Sequence, residues 1–196
     1  MGMGTISWFI NVTVDGYFEG PGHDISFFKG DREDNTFFRE QSSEGATLLF
    51  GHRTYELMKS HWPTPQAQKE NPEVAQYMNE MPKIVAAHRP FDPGWSKVTV
   101  LSGDVVEEIR QLKQKPGGRI VIMGSNSLCV SLMPEGLIDE LMVMTNPIAL
   151  GAGTPLFKGL PRPIDLKLAS TRQFKSGKAV HFYRPAGTVS ALRKSA

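Results

Sequence analysis

The sequence has a single cysteine among its 196 residues, Cys129. One cysteine excludes an intramolecular disulfide, and no His/Cys cluster has metal-ligand spacing, so we predict neither a structural zinc nor any other metal site. Both absences favour a reducing compartment. The sequence also lacks a signal segment and any apolar run long enough to span a membrane, which predicts a cytoplasmic protein with no membrane partner.

The sequence has almost no excess of charge of either sign. Lys and Arg together number 22 and Asp and Glu number 20, which gives a formal net charge of +2. This balance predicts no nucleic-acid partner, and any anionic ligand must be bound by a local group of cations. The length suits one domain, which we place at residues 1–185, followed by a flexible tail at 186–196.

Apolar runs separated by turn residues predict strands that alternate with helices in the first part of the chain. The predicted strands are Thr5–Val14, Thr47–Phe50, Lys83–Ala87, Lys97–Leu101, Arg119–Met123, Leu137–Pro147, Ile164–Phe174 and Lys178–Arg184. The predicted helices are Asp34–Gln41, His52–Lys59, Asn71–Met81, Asp104–Lys113 and Ser125–Leu132. This order predicts an α/β fold with a mixed, mostly parallel central sheet and an antiparallel C-terminal hairpin.

The stretch R-I-V-I-M-G-S-N-S-L at residues 119–128 is a short apolar strand that stops at Gly124. A strand followed by a Gly-led turn into a helix directs several backbone N–H groups at one place, which suits the phosphate of a nucleotide cofactor. The full glycine pattern is absent. An ordinary strand-to-helix turn with a Ser or Asn cap explains the segment equally well.

Further segments, taken in chain order, are similar to those of a known fold. They are Val14-Asp15-Gly16, Gly51-His52-Arg53-Thr54, His88-Arg89, Ile122–Asn126 and Leu150–Phe157. Together they resemble the dihydrofolate reductase fold, and in particular its branch with the reductase domain of the bifunctional riboflavin-biosynthesis deaminase/reductase. The resemblance spans Thr5–Arg184 and implies a three-layer fold with helices on both faces of the sheet.

This resemblance implies that the cofactor is NADPH. Its phosphates would be bound by Gly51, His52, Arg53 and Thr54, its adenosine 2′-phosphate by His88 and Arg89, and its remaining contacts would come from Gly124, Ser125, Asn126, Ser127 and Leu128. The family's two basic residues are exchanged at positions 52 and 53, so either of them could contact phosphate. Spacing alone would favour solvated surface charges at Arg53 and Arg89.

The implied activity is reduction of a small pyrimidine- or pterin-like heterocycle, which is helped by a proton-donating or substrate-orienting acid. Asp24 is the first candidate, because residues 23–29 are similar to the dihydrofolate reductase stretch in which Asp precedes an aliphatic, a small residue, an aromatic and Phe-Lys. A helix N-cap suits Asp24 equally, Asp15 also suits a simple turn, and Glu19 is a third acid of the same loop. The aromatic residues of Tyr17–Gly30 predict a partly desolvated acid with a raised pKa.

The predicted sixth strand offers more apolar surface than one sheet face needs. Its apolar residues are Leu137, Ile138, Leu141, Met142, Val143 and Met144. We therefore expect a symmetric homodimer that buries part of this surface. The alternative to an enzyme is a catalytically silent nucleotide-binding or dimerisation module of the same fold.

Overall fold

The computed structural model of the chain describes residues 3–41, 45–116 and 118–186. Its strands are β1 (Thr5–Thr13), β2 (Tyr17–Glu19), β3 (Ala46–Gly51), β4 (Lys83–Ala86), β5 (Val98–Leu101), β6 (Arg119–Met123), β7 (Glu140–Asn146), β8 (Thr154–Pro155), β9 (Leu166–Gln173) and β10 (Ala179–Pro185). Its helices are α1 (Arg32–Gln41), α2 (His52–His61), α3 (Pro65–Glu70), α4 (Pro72–Glu80), α5 (Val105–Gln114) and α6 (Asn126–Leu132).

Within these described ranges, eight strands form one mixed sheet in the order β5-β4-β3-β6-β1-β7-β10-β9. The strands from β5 to β7 pair in parallel, whereas β10 pairs antiparallel with both β7 and β9. β2 and β8 form a separate antiparallel pair. The structure therefore confirms the predicted mostly parallel sheet with an antiparallel C-terminal hairpin.

Helices cover both faces of this sheet. Because successive side chains of a strand point to opposite faces, Trp8 and Ile10 of β1 pack in one core cluster with residues of α5 and α6. Phe9 points the other way and packs in a second cluster with residues of α1, α2 and α4. Burial on both sides explains why β1 is an almost continuous apolar run, and it confirms the three-layer arrangement.

The parallel strands carry their carboxyl ends to one edge of the sheet. β3 and β4 pair so that Gly51 is opposite Ala86, and β1 pairs with β6 so that Phe9 is opposite Met123. The turns that follow β1, β3, β4 and β6 therefore lie along the same edge. Ligands of open α/β sheets bind in the crevice outside this edge.

Four short elements differ from the prediction, one of them a 3-10 helix at Pro21–His23 in the predicted loop after β2. α3 was not expected, although Thr64 caps it by accepting from the N–H of Ala67 at 3.2 Å. β2 and β8 fall in stretches predicted as loops, because elements of two or three residues show no periodicity. β7 begins at Glu140 rather than at Leu137, and the ammonium of Lys113 instead binds the Leu137 carbonyl at 2.8 Å.

The apolar residues of the predicted sixth strand are all buried within the chain itself. They are Leu137, Ile138, Leu141, Met142, Val143 and Met144. The argument that they form a dimer surface is therefore wrong, and the homodimer stays a prediction. Residues 187–196 of the predicted tail lie outside the described residues. In the part of the chain that the structure describes, no helix is long and apolar enough to cross a membrane.

Candidate active site

Two of the predicted cofactor turns pack directly against each other. The N–H of Gly51 donates to the Ser125 Oγ at 2.6 Å. A Cβ atom at Gly51 would lie 3.2 Å from that oxygen, and a Cβ atom at Gly124 would lie 3.3 Å from the Cγ2 of Thr54. Gly124 also has a φ of +62°, which favours glycine. Glycine at both positions lets the ends of β3 and β6 approach closely.

The turn after β6 is built largely by its own side chains. Ser125 lies in the left-handed region with a φ of +53°, and the indole N–H of Trp8 donates to the Gly124 carbonyl at 2.8 Å. The side-chain amide of Asn126 donates to the carbonyl of Leu156, and Leu128 is buried in the core. The side chains of Asn126 and Leu128 thus shape the turn, whereas Ser127 is exposed.

His88 and Arg89 follow β4 and are exposed at the same edge, beside the turn that begins at Gly51. Among the residues that the structure describes, neither side chain makes a hydrogen bond or an ion pair. The ring of His52 packs against that of Phe91 with centroids 4.6 Å apart. A guanidinium and an imidazole at this edge are therefore available to an anionic ligand.

Arg53 forms an ion pair with Glu19, a residue of β2 that is 3% exposed. The Glu19 carboxylate also accepts from the Thr154 hydroxyl at 2.9 Å and lies 2.9 Å from the His23 Nδ1. Burial alone would raise the pKa of Glu19, but the hydrogen bonds from His23 and Thr154 and the charge of Arg53 outweigh burial and lower it. Glu19 is therefore an ionised, buried carboxylate.

Asp15 is exposed and its carboxylate fixes a turn. It accepts from the Thr13 hydroxyl at 2.6 Å, from the N–H of Gly151 at 2.7 Å and from that of Leu150 at 3.0 Å. These hydrogen bonds, that of Thr13 first, lower the pKa of Asp15. The expected raised pKa is therefore wrong for Asp15, which ties the end of β1 to the loop before β8.

Asp24 is exposed as well, and the segment that follows it is not helical. Its Oδ1 accepts from the N–H of Ser26 at 2.8 Å, and the bonds to Ser26 lower its pKa. The sequence-based expectation of a desolvated acid at Asp24 is wrong, and so is the alternative of a helix cap. Phe27 and Phe28 pack on each other, with centroids 4.5 Å apart, rather than covering Asp24.

Asp34, in the first turn of α1, is a buried acid that sequence reasoning missed. Its Oδ2 accepts from the N–H of Asp31 at 3.0 Å and pairs with the ammonium of Lys178. Its Oδ1 is fully buried and has no hydrogen-bond partner among the described residues. Lys178 precedes Ala179, which pairs with Thr145 near the end of β7, so the ion pair lies at the carboxyl edge of the sheet.

A sequence signal for Asp34 was present. Residues 34–39 are D-N-T-F-F-R, the same order of Asp, two residues, an aromatic, Phe and a basic residue that pointed to Asp24. The helix forms at the second occurrence. One turn after Asp34, the ring of Phe37 lies 6.1 Å from that of Phe9, whose carbonyl accepts from the N–H of Gly124 at 2.9 Å. The helix that carries Asp34 thus packs, through Phe37, on the strand residue that holds the turn after β6.

The described ranges contain no group of three or more His, Cys, Asp or Glu side chains that could hold a metal ion. Cys129 is buried, and burial raises the pKa of its thiol well above its usual value. A thiol that stays protonated is a poor nucleophile. The chemistry of the described edge therefore rests on carboxylates, cations and backbone N–H groups.

The sheet order and the paired turns at its carboxyl edge define a dihydrofolate reductase-like α/β domain. The chain belongs to the RibD C-terminal domain family, whose sequence pattern matches residues 5–180. It is 27% identical over 166 residues to the uncharacterized protein YyaP of Bacillus subtilis (strain 168), an alignment that covers 85% of this chain and 87% of YyaP.

Two solved structures share the fold. A Shewanella sp. PV-4 protein with a proposed role in riboflavin biosynthesis matches with a TM-score of 0.73 and 20% identity, over 92% of this chain and 98% of that one. The dihydrofolate reductase of Enterococcus faecalis, solved in complex with NADP(H), matches with a TM-score of 0.66 and 19% identity, over 94% of this chain and 98% of that one. At these identities the likeness establishes the fold.

Proposed function

We propose that the protein is an NADPH-dependent reductase of a small pyrimidine- or pterin-like heterocycle. Family membership and the likeness to a dihydrofolate reductase that binds NADP(H) support this proposal. The observation that carries it is the unpartnered guanidinium cation of Arg89, with the unpartnered imidazole of His88 before it, beside the closely packed turns at Gly51 and Gly124. A cofactor with a 2′-phosphate brings the extra negative charge that such cations bind.

The residues at this edge fit a dinucleotide. Gly51 is the N-cap of α2 and provides no side-chain cap, so N–H groups of the first turn stay free for phosphate oxygens. Arg53, Thr54 and the free N–H groups at the start of α2 would hold the phosphates, while the N–H of Gly51 stays with Ser125. Arg89 with His88 would hold the 2′-phosphate. When bound, the cofactor supplies a hydride to the substrate.

The substrate needs an acid that orients the ring or provides a proton, and we assign this role to Asp34 in place of Asp24. Asp15 and Asp24 are exposed and their carboxylates are engaged by neighbouring N–H or hydroxyl groups. Asp34 is buried and keeps one oxygen without a donor. A buried polar atom of this kind is costly unless it has a partner, and a ring N–H of the substrate is a suitable one.

Cofactor titration tests the proposal. We expect NADPH to bind more tightly than NADH, and Arg89→Ala to remove most of the difference, about 1.5–3 kcal/mol for a charge-assisted contact. Arg184→Ala, which removes an exposed arginine of β10, is the matched control and should leave the difference unchanged. Equal affinities of the unmutated protein for NADPH and NADH would contradict the proposal.

Measuring NADPH oxidation distinguishes the reductase from the alternative, a catalytically silent nucleotide-binding module. Purified protein with NADPH and a panel of pyrimidines and pterins should oxidise NADPH in the presence of at least one of them. Tight NADPH binding with no oxidation across the panel would favour the nucleotide-binding module. A homodimer also remains part of the proposal, and no contact within the described residues tests it.

A further inference from the structure

Glu19 and Arg53 differ sharply in exposure although they form one ion pair. The Glu19 side chain is 4% exposed and that of Arg53 is 63% exposed. One amino group of the guanidinium thus pairs with a buried carboxylate and the other lies beside His23, while the side chain as a whole stays largely exposed at the start of α2. Guanidinium has five N–H donors in a rigid fork, so it can serve a second anion while it stays paired.

We propose that Glu19 is a positioning residue of the cofactor site: its carboxylate holds the Arg53 guanidinium so that the solvent-facing N–H groups meet a phosphate of the cofactor. This inference rests on the proposed function, because it assigns Arg53 to a cofactor phosphate. It adds a residue of β2 to a site otherwise made from the turns after β3, β4 and β6.

The physical reason is preorganisation. A free arginine in the first turn of a helix is repelled by the positive end of the helix dipole and loses rotamer freedom when it binds an anion. The ion pair with Glu19 offsets the repulsion by the helix dipole. It also restricts the Arg53 rotamers before the cofactor binds, so less conformational entropy is lost on binding. Glu19 is itself held by the Thr154 hydroxyl, which belongs to β8. The guanidinium is thereby fixed to two strands outside its own helix.

His23 completes the surroundings of this pair. Its Nδ1 lies 2.9 Å from the Glu19 Oε1 and 3.0 Å from an Arg53 amino nitrogen. Since Glu19 only accepts and Arg53 only donates, Nδ1 can serve one of them at a time. His23 also has a φ of +65°, a strained backbone for a non-glycine residue. Its contacts with Glu19 and Arg53 attach the loop after β2 to the ion pair.

A double-mutant cycle on NADPH binding tests the inference. Glu19→Gln keeps the shape of the side chain and its ability to accept from Thr154, but removes the charge that holds Arg53. We expect it to raise the Kd for NADPH about tenfold, and Arg53→Ala to raise it further. In the Arg53→Ala background, Glu19→Gln should have no additional effect. The KM for NADPH should rise with little change in kcat.

Glu73→Gln is the matched control, because it breaks the exposed ion pair of Glu73 with Arg39, and it should leave the Kd unchanged. Tighter binding by Glu19→Gln would mean that Glu19 competes with phosphate, which overturns the inference. The same loss in both backgrounds would show a general structural role, which also overturns it. Absence of NADPH binding by the unmutated protein would instead overturn the proposed function, and the inference with it.

Discussion

Lys83 and Lys178 lie at opposite edges of the main sheet, and both are buried, which is unusual for lysine. Lys83 begins β4 at the amino edge, and its ammonium donates to three backbone carbonyls, those of Asn79, Met81 and Ser96. Its ammonium also lies 4.4 Å from the ring centroid of Trp95. Lys178 lies at the carboxyl edge, and its ammonium pairs with the buried carboxylate of Asp34.

The difference lies in what each lysine leaves behind when it is removed. Removing Lys83 leaves three neutral backbone carbonyls without their donor, whereas removing Lys178 leaves the negative charge of Asp34 without its partner. Asp34 also keeps one oxygen without a donor, while the neighbours of Lys83 form a closed structural cage. The amino edge thus uses a buried charge to join elements. On the proposed function, the carboxyl edge keeps its buried carboxylate for a ligand.

The largest effect is expected from Lys178→Met. It leaves the carboxylate of Asp34 buried and unpaired, which should lower the free energy of unfolding by about 3–5 kcal/mol. Lys83→Met should cost less, because no charge is left unpaired. Urea denaturation at neutral pH measures both changes.

Arg39→Met is the control for charge removal at the surface. It breaks the exposed Arg39–Glu73 ion pair and should change the free energy of unfolding by less than about 1 kcal/mol. If Lys83→Met destabilised the protein as much as Lys178→Met, the distinction between the two edges would not hold.

The next largest effect concerns Asp34→Asn and turnover. Asparagine keeps the size of the side chain but removes the carboxylate charge that would accept from the ring N–H and orient the ring, so we expect kcat on an accepted heterocycle to fall about a hundredfold. The affinity for NADPH should stay nearly the same, since no cofactor contact is assigned to Asp34. Stopped-flow or steady-state NADPH oxidation measures the first quantity, and fluorescence titration measures the second.

Asp24→Asn is the matched control for this acid. Asp24 is exposed and its carboxylate accepts from the N–H of Ser26, so the variant should keep most of its turnover. A hundredfold loss with Asp24→Asn and none with Asp34→Asn would restore Asp24 as the catalytic acid and would require the loop to close over it.

The fold could be predicted well because its strands are long apolar runs bounded by Gly, Pro and Asp. β1, β3 and β6 lie within a few residues of their predicted bounds. Short elements could not be predicted in the same way, since β2 and β8 exist only because they pair with each other. The beginning of β7 was also misplaced, because Leu137 is buried by core packing without being part of the sheet.

The glycines of the predicted cofactor turns could be recognised from sequence, because only the smallest residue permits the close approach at Gly51 and Gly124. The acids could not be ranked. The Glu19 carboxylate is hydrogen-bonded by Thr154 and the Asp34 carboxylate is paired with Lys178, both more than a hundred residues away. Local patterns describe an acid's neighbours along the chain, whereas its pKa and availability depend on partners in space.

The smallest expected effect is a pH dependence of stability from Lys83. Burial of its ammonium, together with the nearby charge of Lys97, lowers the pKa of Lys83 to about 8, from 10.5 for an ordinary lysine. Between these two values the unfolded chain holds a proton that the folded chain has released. The free energy of unfolding should therefore rise with pH in this window, by about 1–3 kcal/mol.

Lys83→Met isolates this contribution from those of other groups that titrate at alkaline pH. The wild-type protein should gain stability relative to Lys83→Met between pH 8 and pH 10, as measured by urea denaturation at each pH. Below about pH 8 both states of the wild-type chain are protonated at Lys83, so the difference between the two proteins should be flat. A stability difference that does not change with pH would mean that the three carbonyls and Trp95 keep the Lys83 ammonium charged, and that burial at the amino edge costs this lysine none of its charge.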